Sequence, residues 1–203
     1  MNKNIKDNFA VIGLGNPGRK YMPTRHNCGQ ISVNKFIENN DQVYKKWKNI
    51  LLADFALNNQ KVFCMQSQEF LNVSGHSYYQ LIKEKKITNK NIIVIADDID
   101  IDVGRLIIQN SKSSGGNNGM KSLLRYLSPE PIIKIRIGIG RPIINGKPSY
   151  DQKIVSDWVL GKPEPKELIV LKETTEQAAL AIETIINYSI EEAMNQFNKI
   201  IPG

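Results

Sequence analysis

The sequence predicts an α/β fold: a single domain over residues 1–203, with a mixed β-sheet sandwiched between helices. Three observations predict it. A chain of 203 residues suits one such domain, which buries roughly 70% of the surface that its unfolded chain exposes. Its 41% apolar and 23% charged residues lie near globular averages, which excludes whole-chain disorder. Strand-like apolar runs also alternate with helix-like stretches, the pattern of a sheet covered on both faces.

The first run, FAVIGLG at 9–15, is continuous and ends in glycine, as a buried strand does. Residues 24–39 read as helix, with Thr24 or Asn27 as cap and Ile31, Val33, Phe36 and Ile37 facing the core. Residues 50–57 and 60–66 read as two strands joined by a turn at Asn58-Asn59. A helix over 73–86 turns Tyr79, Leu81 and Ile82 inward and leaves His76 exposed. IIVIADD at 92–98 is a second buried strand with acids at its carboxyl end, and RLIIQ at 105–109 is a further one. SKSSGGNNG forms a loop into a short helix at about 118–127, and KIRIGIG at 134–140 alternates as a strand. Pro163 and Pro165 open a long helix to about 187, since a first turn tolerates proline. Ser189 and Glu192 have capping-box spacing for a final helix.

The formal net charge is +7 and the sequence pI about 9.3. Such basicity points to a polyanionic partner, nucleic acid or an acidic membrane surface, although Lys- and Asn-rich composition alone can produce it. The N-terminal MNKNIKDNFAVIG lacks the apolar stretch of a signal peptide, and no run approaches the roughly 20 apolar residues that span a bilayer. The expected compartment is the cytoplasm. Cys28 and Cys64 form no close pair, and with only two histidines the chain lacks the ligand spacings of a zinc site. Both cysteines read as small buried hydrophobes.

Five constellations could carry chemistry. GLGNPG at 13–18 matches the spacing of a dinucleotide fingerprint, but Pro17 and Pro23 bracket a loop where that fingerprint needs a helix. It reads better as a tight turn holding Asn16 at the end of the first strand. His26 in TRHN falls where a loop enters a helix beyond a strand's carboxyl end, the edge at which open α/β sheets bind ligands. In ADDIDID at 96–102, Asp98, Asp100 and Asp102 resemble the start of a calcium loop, but Val103 and Gln109 stand where its glycine and bidentate glutamate belong. Asp98 and Asp102 read as loop caps. Asp97 points the opposite way and can fix an imidazole tautomer. Asn72 in NVSG can either cap the following helix or bind a substrate carbonyl. In GGNNG at 115–119, glycines let backbone N–H groups approach an anion, and Asn118 can cap the next helix. Basic residues surround that loop in sequence: Arg105, Lys112, Lys121, Arg125, Lys134, Arg136 and Arg141. Lys134 and Arg136 alternate in one strand and project from one face.

Taken together, GLGNPG with Tyr21, TRHNCG, EFLNVSG, VIADDIDIDVG, GGNNG, KIRIGIGRP and VSDWVLG resemble the bacterial peptidyl-tRNA hydrolase family, in the family's order over about residues 9–165. The resemblance implies a monomeric, cofactor-free and metal-free esterase acting on peptidyl-tRNA, without a membrane. It implies that His26 is the catalytic histidine and Asp97 its supporting aspartate. It places Asn16, Asn72 and Asn118 around the peptide and terminal adenosine, counts Tyr21, beside the first motif, among the residues that bind substrate or tRNA, and puts Arg136 at tRNA phosphate. The family usually has histidine at the positions of Asn117 and often at that of Ala96, and lysines near Ile107 and Gln109. Arg105 or Lys112 is expected to stand in for those lysines. The rival reading is a non-catalytic RNA-binding protein of the same fold, which the retention of His26, Asp97 and the three asparagines opposes.

Overall fold

In the computed structural model, which describes residues 7–198, one sheet of seven strands has the order β2-β3-β4-β1-β5-β7-β6. Its strands are β1 (Asn8–Gly13), β2 (Lys45–Trp47), β3 (Ile50–Leu57), β4 (Gln60–Ser67), β5 (Ile92–Asp98), β6 (Leu106–Ser111) and β7 (Ile132–Gly138). The central strands β4, β1, β5 and β7 run parallel, and the outer pairs are antiparallel. The expected mixed sheet is therefore present. A short hairpin, β8 (Ile143–Ile144) with β9 (Lys147–Pro148), stands apart from it.

Period-two alternation assigns each strand's side chains to two layers. One face buries Val11, Ile93, Ile95, Ile133, Ile135 and Ile137 beneath three helices. These are α1 (Cys28–Asn39), α5 (Pro165–Asn187) and α6 (Ile190–Phe197). The other face buries Ile12, Ile92, Val94 and Met65 beneath α2 (Gly75–Glu84) and α3 (Asn118–Leu124). β5 is covered on both faces, and all seven of its residues are buried. That explains its unbroken apolar run and makes its terminal Asp97 and Asp98 unusual.

Several local readings need correction. Ile31 is 36% exposed, so the inner stripe of α1 is Val33, Phe36 and Ile37. Tyr78, not Tyr79, is the tyrosine buried from α2, and its hydroxyl accepts from the Ser67 N–H. Neither Thr24 nor Asn27 caps a helix with its side chain. Asn72 precedes α2 without capping it, and the residue at the cap position is Ser74. Asn117, not Asn118, caps α3, accepting from the N–H groups of Gly119 and Met120. Both cysteines are buried, as expected. Pro165 opens α5, and Ser189 caps α6 through the Glu192 N–H. The helix α4 (Gln152–Val159), the strand β2 and the β8–β9 hairpin lie where no element was expected.

At the β6 edge, Asn198 makes a two-point contact with the strand. Its Nδ2 donates to the Ile108 carbonyl at 2.9 Å, and its Oδ1 accepts from the Ile108 N–H at 2.6 Å. Among the described residues, no helix is long and apolar enough to cross a membrane.

Candidate active site

The loops that follow β1, β4, β5 and β7 emerge at one edge of the sheet, as the carboxyl ends of parallel strands must. They surround a cleft of about 730 Å³, at the kind of edge where α/β sheets bind ligands. His26, Asp97, Asn16, Asn72 and Asn118 all line it. Five candidates spread over about a hundred positions of sequence thus meet in one place.

His26 sits in a single 3-10 turn, Arg25–Asn27, that leads into α1. α1 begins unusually close to the sheet. A β-carbon at Gly29 would collide with the Ile95 carbonyl, so glycine there lets the turn descend onto β5. His26 Nδ1 and Asp97 Oδ1 are consequently 2.8 Å apart. The imidazole is 15% exposed and the carboxylate 4%. Burial of the ring pushes its pKa down, but the charge of Asp97 and its hydrogen bond outweigh that and hold the His26 pKa above the ordinary imidazole value. With Asp97 accepting from Nδ1–H, Nε2 keeps its lone pair for a proton.

Asn117 completes the carboxylate's surroundings. Its Nδ2 donates to the same Asp97 oxygen at 3.3 Å, while its Oδ1 caps α3. The residue at a position where the family usually has histidine thus holds Asp97 and starts a helix.

Asn16 is fixed from three directions. Its backbone N–H donates to Asn27 Oδ1 at 3.0 Å, and its carbonyl accepts from Asn27 Nδ2 at 2.9 Å. Its side-chain Oδ1 accepts from the Leu71 N–H at 3.1 Å. The Nδ2 group is then the part of Asn16 left to serve the cleft as a donor. Asn72 and Asn118 are exposed on the cleft wall.

Tyr21 and Arg136 flank the cleft without lining it. Tyr21 meets the cleft residue Phe70 edge to face, with centroids 6.2 Å apart. Arg136 shares its sheet face with Lys134, as expected, but it is paired with Asp98. Both its Nε and its Nη2 lie 2.8 Å from Asp98 Oδ2. Lys134 is buried and donates to the Ser113 carbonyl. Asp98 does cap its loop, accepting from the Asp100 N–H. No side-chain bond of this kind involves Asp102 among the described residues. Those residues also contain no group of three His, Cys, Asp or Glu that could hold a metal ion.

Sequence reasoning missed the opposite wall. It is α4, whose Val155 and Val159 face the cleft beside Leu160 and Arg141. The signal was present: Ile154, Val155, Trp158 and Val159 have helical spacing, and Asp151 caps the helix through the Lys153 and Ile154 N–H groups. It also missed the tie between that wall and His26. Arg25 is 2% exposed and donates to both carboxylate oxygens of Glu167, at 2.6 and 2.5 Å. The guanidinium also lies 3.6 Å from the Trp158 ring centroid and donates to the Trp158 and Lys162 carbonyls.

Comparison with known proteins identifies the family and the fold. The family model described as peptidyl-tRNA hydrolase matches residues 10–202. A peptidyl-tRNA hydrolase of Clostridium botulinum (strain Alaska E43 / Type E3) is 41% identical over 192 residues, covering 94% of this chain and 95% of that protein. One from Alkaliphilus oremlandii is 38% identical, covering 93% and 98%. Among solved structures, peptidyl-tRNA hydrolase from Acinetobacter baumannii superposes with a TM-score of 0.87 at 25% identity, covering 96% of each chain. The chain belongs to the peptidyl-tRNA hydrolase family.

Proposed function

We propose that this protein hydrolyses the ester between a peptide and the terminal ribose of tRNA in peptidyl-tRNA, with His26 as general base and Asp97 as the group that orients it. The observation that carries the reading is the 2.8 Å contact between His26 and Asp97 at a cleft lined by four asparagines, Asn16, Asn72, Asn117 and Asn118. Neutral His26 takes a proton on Nε2 from a water whose oxygen attacks the ester carbonyl carbon. Asp97 stabilises the resulting imidazolium. The Nδ2 donor of Asn16 suits the developing oxyanion, because its side-chain amide is already oriented by the Leu71 N–H while Asn27 fixes the backbone beneath it. The adduct collapses by breaking the bond to the ribose oxygen, which receives the proton from His26. The products are a free peptide carboxylate and tRNA.

Asn72 and Asn118 are suited to hold the peptide and terminal nucleotide, and the basic surface supplies a sequence-independent grip on phosphate. Arg136 reaches phosphate only by sharing its charge with Asp98. The reaction places the protein in translation, in the cytoplasm, and the chain as described needs no second copy to complete the cleft.

The direct test is release of N-acetylated amino acid from N-acetylaminoacyl-tRNA. Turnover is expected, with one acid limb from protonation of His26, at a pH above the ordinary imidazole pKa of about 6.5. Asp97→Asn removes the charge that raises this pKa while burial, which lowers it, remains. The limb should therefore move to lower pH as the rate falls. tRNA binding without release would favour a non-catalytic RNA-binding protein.

A further inference from the structure

Both helices on the α2/α3 side begin at the cleft and run away from it. The contacts advance together along the two chains. Leu71 packs under Gly119, the Gly75 N–H donates to Ser122 Oγ at 3.0 Å, and Tyr79 stacks on Tyr126 at 5.8 Å. A β-carbon at Gly75 would run into the Ser122 backbone, so the close approach of the two helices depends on that glycine. With a rise of 1.5 Å per residue, their far ends lie about 10–15 Å from the cleft.

At that outer end the surface changes character. Tyr126 is 42% exposed. It stacks on Tyr79 with an interplanar angle of 23° and meets His76 edge on at 5.3 Å. Beside these rings is a shallow groove lined by His76, Tyr79, Gln80, Lys83, Glu84 and, from the β2–β3 turn, Lys48. Its one acid, Glu84, is turned to Lys85 at 2.8 Å. Lys121 on α3 and Arg125 at its C-cap, four residues apart, are both exposed. The face thus presents planar rings ringed by cations, and lacks the aliphatic wedge that would seat it in a bilayer. Rings with flanking cations are the chemistry that grips nucleic acid, through stacking and phosphate neutralisation.

We propose that this α2/α3 face is a second contact surface for the tRNA, holding its sugar–phosphate backbone outside the cleft while the acceptor end is processed within it. The identity of the RNA rests on the hydrolase reading above. The surface itself does not. Lys83, Lys121 and Arg125 take phosphates, and Tyr126 takes a sugar or base face.

The experiment compares wild type with the triple variant Lys83→Ala/Lys121→Ala/Arg125→Ala, with Tyr126→Ala and with Tyr126→Phe. Binding of uncharged tRNA is measured across a salt series, and hydrolysis is measured on N-acetylaminoacyl-tRNA and on the same ester of adenosine alone. The triple variant should lower the salt slope by about two to three units. It should raise KM for the tRNA substrate about tenfold or more, with kcat nearly unchanged. Tyr126→Ala should weaken tRNA binding by about tenfold, and Tyr126→Phe should restore most of it. Hydrolysis of the adenosine ester should not change in any variant, which also shows that each is folded. Unchanged slope and KM in active variants would overturn the surface and leave the hydrolase reading intact. Reduced tRNA binding by the variants of a protein that releases nothing would support the surface and overturn the hydrolase. Equal loss on the adenosine ester would mean that these residues support the fold, and the surface falls. Loss of binding to phosphatidylserine vesicles, with tRNA affinity retained, would assign the face to a membrane and overturn it for RNA.

Discussion

The two walls of the cleft are built differently. On the sheet side, Asp97 is bonded by His26 at 2.8 Å and by Asn117 at 3.3 Å, Asn16 is held by the Leu71 N–H, and Asp97 closes a strand buried on both faces. On the α4 side, no residue of the helix is buried. That wall is held chiefly through Trp158, which stacks on Arg25 and donates from Nε1 to the Gly140 carbonyl at 3.0 Å. A reacting group must be placed to a fraction of an ångström, and packing within a sheet provides that. If the chain acts as proposed, a wall that receives varied peptides needs area rather than precision. On that reading chemistry falls to the sheet side and substrate affinity to α4, with Arg25 joining them.

The largest effect should come from the sheet side. His26→Ala removes the proton acceptor and should lower single-turnover hydrolysis by about 10²–10⁴-fold, while tRNA binding stays near wild type. A rate within a few-fold of wild type would remove His26 from the mechanism and erase the contrast between the walls.

Next is the joint. Arg25→Ala leaves the Glu167 carboxylate, whose side chain is only 11% exposed, without its partner, a change that typically costs up to about 3–5 kcal/mol. In a protein of this size that corresponds to a fall in Tm of roughly 6–20 °C. Calorimetry reads it directly. Where the variant remains folded, kcat should fall as well, because residue 25 shares a turn with His26. A stable variant with full activity would show that the two walls are independent.

The smallest effect belongs to α4. Val155→Ser removes apolar contact from the cleft and should raise KM about three- to fivefold with kcat unchanged. A larger drop in kcat than in affinity would place α4 in the chemistry and blur the comparison.

These walls also differed in how visible they were beforehand. The strands β1 and β5 were legible because a chain buried on both faces shows an unbroken apolar run, and His26 and Asp97 were found because each closes or follows such a run. α4 was not, although its spacing is helical and Asp151 caps it, because eight residues make only about two turns, too short a stretch for period alone to mark a helix. Spacing alone does not separate Tyr78 from Tyr79, because adjacent positions on a helix differ by only about 100° in direction and both are tyrosines. The cap of α3 is ambiguous in the sequence for a similar reason: either of the adjacent Asn117 and Asn118 satisfies the composition, and only backbone geometry separates them. The clasp between Asn16 and Asn27 spans 11 positions, and the Arg25–Glu167 pair spans 142. No local pattern encodes contacts of that range. The family strings located the residues; the three-dimensional fold supplied their partners.

The amide of Asn198 on β6 has a consequence for the molecule among its neighbours. An edge strand with free N–H and C=O groups is a template on which another chain can add its own strand. Asn198 occupies both groups of Ile108 near the middle of that strand, in the manner of a one-residue surrogate strand. The opposite edge, β2, is only three residues long and carries exposed Lys45 and Lys46. Cross-strand polymerisation is therefore blocked at one margin by a side-chain plug and discouraged at the other by brevity and charge repulsion.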